Sequence, residues 1–74
     1  MVMTPASFRA IRQHLGLSTA HMARVLLVGS GRTVRRWEAG ERPVPGPVAT
    51  LMALLENVRA ARIILGVSEP PPPG

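Results

Sequence analysis

The chain contains no cysteine, no lysine, no aspartate and no tyrosine, with a single phenylalanine and a single tryptophan. Each absence removes a class of reading. Without cysteine there are no disulfides and no thiolate metal ligands, so nothing argues for an oxidising compartment, and a cytoplasmic location is the expectation. Asp, Lys and Cys are also the usual catalytic set, and their absence makes an enzyme a poor expectation, with no cofactor implied. With so few aromatic residues, a hydrophobic content of 46% must be made of Leu, Val, Ile, Met and Ala, which favours packed helices over sheets. No run approaches the ~18 consecutive apolar residues of a membrane span, and the N-terminus lacks the basic patch and apolar run of a signal peptide. A membrane partner is therefore not expected.

What is present is small and basic. The 74 residues make one domain, and a chain of this size buries only ~60% of the surface it exposes when unfolded. Such a domain lies near the lower limit of independent stability, so association with a second copy or a partner is a reasonable expectation. Nine arginines against four glutamates give a net charge of +5, and the isoelectric point is near 11.9. Guanidinium groups form bidentate contacts with phosphate and with guanine, which directs attention to nucleic acid.

The hydrophobic spacing predicts four or five short helices. Thr4-Pro5 opens the first, with threonine as cap and proline at the first helical position. Met3 and Phe8 are spaced as a hydrophobic staple. Phe8, Ile11 and Leu15 form one stripe that Gly16 ends. Ser18 caps a second helix whose inner face is Met22, Ala23 and Leu26, with Val25 alongside. Gly29-Ser30-Gly31 reads as a turn, with Ser30 capping a third helix from Arg32 to Ala39. On that helix Val34 and Trp37 face inward, making Trp37 a core anchor, while Arg32, Arg35 and Arg36 point elsewhere. Pro43, Pro45 and Pro47 then form a stiff connection. Beyond it, Val48, Leu51, Leu55 and Val58 share a stripe whose spacing continues through Arg62 and Leu65. That stretch is either one long helix or two with a break near Asn57. Residues 1–66 are read as the domain, and residues 67–74 as a proline-rich disordered tail.

The chemistry concentrates between Arg24 and Arg42, where five arginines face Glu38 and Glu41. A helix, turn, helix unit that reads DNA needs a second helix whose N-terminal end reaches base edges in the major groove, while the first braces against the backbone. Ser30 and Arg32 at the start of helix three, with Arg36 one turn further on, are suitable parts. Other chemistries are less well provided for. His14 and His21 are seven residues apart with neither cysteine nor a nearby carboxylate, so no metal site is expected. The stacking aromatics of single-strand RNA readers are missing.

The runs Leu17-Ser18-Thr19-Ala20-His21-Met22-Ala23-Arg24 and Thr33-Val34-Arg35-Arg36-Trp37-Glu38-Ala39-Gly40-Glu41-Arg42-Pro43 resemble the lambda-repressor-like, or XRE-type, helix-turn-helix family of phage and bacterial regulators. The resemblance spans roughly Thr4 to Leu55. It implies an all-α five-helix domain that binds operator DNA as a two-fold dimer, with helix three in the major groove. By position it implies base reading by Ser30, Arg32 and Arg36, with Thr33 and Arg35 beside them. Backbone contacts would come from Thr19 and Arg42, and His21 and Arg24 are added on the same helix as Thr19. It also implies an ion pair between Arg12 and Glu38 that ties helix one to helix three. The sequence departs from the family at the turn, where Leu27-Val28-Gly29-Ser30 carries one residue more than the usual Gly-Val-Ser. Gly31 further lacks a side chain at a position that often reads a base. Ile63, Ile64 and Leu65 exceed what one face of a small bundle can bury and are assigned to a dimer interface. The resulting expectation is a sequence-specific, double-stranded DNA-binding regulator, a dimeric repressor with autorepression as one form. The alternative is an antitoxin or adaptor whose main partner is another protein, such as a toxin.

Overall fold

Thr4 begins the first helix as the sequence predicts. Its Oγ1 accepts a hydrogen bond from the Ser7 amide at 3.1 Å, which satisfies one of the amides left free at a helix start. The computed structural model describes residues 2–67, and among them the chain is all α-helical. The five helices are α1 (Pro5–His14), α2 (Thr19–Val25), α3 (Gly31–Glu38), α4 (Gly46–Asn57) and α5 (Arg59–Ile64). The third helix packs against α1 and α2, while α4 packs against α1 and α5. The first helix therefore links the α2–α3 pair to the α4–α5 pair.

The core follows the predicted stripes of the first three helices. Phe8, Ile11, Leu15, Met22, Ala23, Val25, Leu26, Val34 and Trp37 are all buried. The Trp37 ring meets Phe8 edge to face, with centroids 5.6 Å apart and planes at 69°, an arrangement favoured by the ring quadrupoles. Trp37 is thus the core anchor expected from its spacing. In α4 the buried set is Val48, Ala49, Met52 and Leu55, so the inner face is rotated from the predicted one. Leu51 is only partly covered and Val58 is exposed.

The long C-terminal stretch is two helices. Val58 takes an extended conformation (φ −121°, ψ 109°) between α4 and α5. The carbonyls released at the end of α4 are met by Arg62, whose Nη1 donates to Leu55 O at 2.9 Å and Glu56 O at 3.3 Å. Leu65 and Val67 then return to the core, Leu65 partly buried and Val67 almost fully. This corrects the predicted boundary after residue 66, because the hydrophobic contact that closes α5 uses Val67. The remaining proline-rich stretch, residues 68–74, lies outside the described residues.

Four helices end with the same pair of reversed hydrogen bonds, in which the first residue past the cap is left-handed. At α1, α3 and α5 that residue is Gly16, Gly40 or Gly66, whereas at α2 it is Leu27 (φ 58°). At α2 the bonds run from the Leu27 amide to Arg24 O and from the Val28 amide to Ala23 O. The sequence places the turn at Gly29 and Gly31, but neither of these has a positive φ. The left-handed conformation falls on a leucine, and Gly29 stands in open space.

Candidate nucleic-acid interface

The α2–α3 unit is built on a close approach of two helix starts. A Cβ on Gly31 would lie 3.0 Å from the Ala20 nitrogen, 3.1 Å from the Ala20 Cα and 3.2 Å from the Thr19 carbonyl carbon. Position 31 therefore faces α2, and glycine there lets the first turn of α3 rest directly on the first turn of α2. The sequence reading treated this glycine as a lost base contact. Its geometry corrects that, since any side chain at 31 would be driven into the neighbouring helix.

With Val34 and Trp37 turned inward, the opposite face of α3 carries Arg32, Arg35 and Arg36. These three line one shallow depression together with Ala39 and Glu41. Arg32 and Arg35 are exposed and Arg36 is partly covered. Among the described residues neither Arg32 nor Arg36 has a hydrogen-bond or ion-pair partner. Ser30 is the N-cap residue of α3 by conformation, but its hydroxyl makes no capping bond and remains available on the surface. Thr33 is partly covered and does not line the depression.

The acidic residue of α3 is taken up inside the fold. Arg12 Nε donates to Glu38 Oε2 at 2.7 Å and Arg12 Nη2 donates to Oε1 at 3.0 Å, while Nη1 donates to Leu17 O at 2.9 Å. The side chains of this pair are only 13% and 10% exposed. A bidentate pair of this kind is geometrically strict, and it fixes α3 relative to α1 and to the connection before α2. It also removes Glu38 as a counter-charge for the arginines of the outer face.

A second depression lies on the α1 flank of α3, lined by Arg9, Arg12, Thr19, Arg35, Glu38 and Ala39. Arg35 reaches across to Thr19, its Nη1 donating to Oγ1 at 3.5 Å. Of the predicted backbone-contacting residues, only Thr19 lines one of these two depressions. His21 is partly covered, and Arg24 and Arg42 are exposed. Arg24 lies in the last turn of α2, about 7–8 Å along the axis from Thr19. Three lining residues lie outside the predicted set: Arg9, Ala39 and Glu41. The signal for Arg9 was available, because it precedes Arg12 by three residues and so shares its helix face. Glu41 carried no such signal, since its position depends on the chain reversal at Gly40.

The predicted interface residues separate into two kinds. Ile63 and Ile64 are 64% and 79% exposed, whereas Leu65 packs against the core. Leu54 and Val58 are also exposed. No helix among the described residues is long and apolar enough to cross a membrane. Neither a protein-family model nor a curated protein sequence matches the chain, so the family resemblance rests on the residues of the helix-turn-helix motif alone.

Proposed function

We propose that the protein is a sequence-specific regulator that binds double-stranded DNA by laying the outer face of α3 in the major groove. The observation that carries this reading is the charge arrangement on α3. Arg32, Arg35 and Arg36 share the face opposite Val34 and Trp37, and Glu38 is already engaged by Arg12. The guanidinium groups of Arg32 and Arg36, without partners among the described residues and on a helix held by its other face, can approach base edges without first breaking an internal contact. Arg32 and Arg36 are the base readers in this account, and guanine, with its O6 and N7 acceptors, is their natural partner. Ser30 and Thr33 flank them, and Arg24, His21 and Arg42 add backbone or long-range attraction.

A single α3 of eight residues reads only a few base pairs. Specificity therefore calls for a second copy, and the exposed Ile63 and Ile64 are the surface assigned to it. A two-fold dimer would place its half-sites ~34–36 Å apart and would bind an inverted repeat. Occupying such an operator makes repression, including of the protein's own promoter, the simplest outcome. The same exposed isoleucines also favour the other reading, an antitoxin or adaptor whose main partner is a second protein. Selection of bound sites from a random duplex pool tests the first reading. Enrichment of an inverted repeat is expected, and recovery of unenriched sequence would overturn it.

A further inference from the structure

We propose that the depression between α1 and α3 is a seat for one phosphodiester group of the DNA backbone, held by the guanidinium groups of Arg9 and Arg35 and by the Thr19 hydroxyl. The proposal rests on the functional reading above and extends it to a residue outside the helix-turn-helix unit. Three arginines against one glutamate line this depression, and both Glu38 oxygens are engaged by Arg12. The floor is thus a neutralised ion pair, and the charge left facing outward is that of Arg9 and Arg35. Arg9 has no hydrogen-bond or ion-pair partner among the described residues. Thr19 Oγ1 accepts from Arg35, which leaves its own O–H to donate to an anionic oxygen. Ala39 at the edge is too small to cover the site.

The seat is continuous with the proposed base-reading face, because Arg35 and Ala39 line both depressions. A phosphate held there would lie on one flank of α3 while Arg32 and Arg36 face the bases. Arg35 then acts mainly as a phosphate ligand and as a bridge to α2, rather than as a base reader. The depression is open and Arg9 and Arg35 are exposed, which suits a group presented by a polymer laid across the surface better than a small enclosed anion.

The test has two arms, using the full chain and Arg9→Ala. Inorganic phosphate is titrated into isotopically labelled protein while the arginine Nε–H and Thr19 signals are followed. The seat predicts saturable shifts at Arg9, Arg35 and Thr19 that are lost from Thr19 and Arg35 in Arg9→Ala. Weak, non-saturating shifts at all arginines alike would overturn it. In the second arm, affinity for the selected duplex and for an unrelated duplex is measured against salt concentration. Arg9→Ala is expected to weaken both equally and to reduce the log–log salt slope by about one. Saturable phosphate shifts with an unchanged salt slope would overturn the duplex backbone as occupant while leaving DNA binding intact. A wild-type chain that binds no duplex would overturn the functional reading itself, and the duplex occupant with it.

Discussion

Replacing Gly31 by alanine tests how α3 is mounted. The added Cβ would meet three backbone atoms of α2 at 3.0, 3.1 and 3.2 Å, where unstrained heavy-atom contacts fall near ~3.5–4.0 Å. Because those atoms belong to a helix backbone, relief requires one helix to move by several tenths of an ångström. Overpacking of this kind costs ~1–3 kcal/mol. Set against it is the reduced freedom of the unfolded chain, worth ~0.4–1 kcal/mol for Gly→Ala. The net expectation is a loss of about 1–2 kcal/mol, measured as a lower urea midpoint with an unchanged slope. The displaced helix carries Arg32, Arg35 and Arg36, so affinity for the selected duplex should fall even at temperatures where the variant is fully folded. A variant as stable as the wild type would refute the close-approach argument. So would unimpaired binding by a Gly31→Ser variant, since serine adds an atom beyond the same Cβ.

Leu27→Gly should act in the opposite direction. The leucine is left-handed (φ 58°) and 91% exposed, so its removal relieves ~1–2 kcal/mol of backbone strain at a cost in unfolded-chain entropy of ~0.5–1 kcal/mol. A rise in melting temperature of a few degrees is expected, at ~4–8 °C per kcal/mol, and a fall would contradict it. Arg12→Ala removes two bonds to Glu38 and one to Leu17 O and leaves a mostly buried carboxylate without its partner. It should cost ~2–4 kcal/mol by urea denaturation, and a loss under ~0.5 kcal/mol would show the pair to be dispensable. Ile63→Glu combined with Ile64→Glu should yield a folded monomer by sedimentation where the wild type is a dimer. A wild type that is monomeric both free and on DNA would rule out the two-fold arrangement.

The fold was legible where the sequence states local rules. Thr4 and Ser18 cap their helices with the expected side-chain bonds, and the stripes Phe8-Ile11-Leu15 and Val34-Trp37 are buried as their spacing requires. Legibility failed where a tertiary contact decides the outcome. The spacing left open a break near Asn57 but could not decide it, because Val58 is flanked by no proline or glycine and the end of α4 is met by Arg62 reaching back. Likewise, Ala49 and Met52 are buried on α4 where Leu51 was expected, and Val58 lies past the end of the helix in an extended conformation. Gly29 and Gly31 read as a turn, yet the conformational demand falls on Leu27 and the steric demand on Gly31. For the candidate site, the Arg12–Glu38 pair and the arginine face of α3 could be anticipated from position. Arg9 could be placed on the Arg12 face from its spacing, but that this face and Thr19 line one depression with Arg35 depends on how α1 and α2 converge on α3.

The central claim is that the outer face of α3 reads duplex DNA, and a single set of binding titrations tests it most directly. Wild type and Arg36→Ala are compared on the selected duplex, on its single-base variants and on an unrelated duplex, at several salt concentrations. The wild type is expected to prefer the selected duplex, and Arg36→Ala to lose ~1–3 kcal/mol on it and cease to discriminate at one base pair. Arg42→Ala serves as the control, weakening all duplexes alike and lowering the salt slope by about one. Undiminished discrimination by Arg36→Ala, or a wild type that binds every duplex equally, would contradict it.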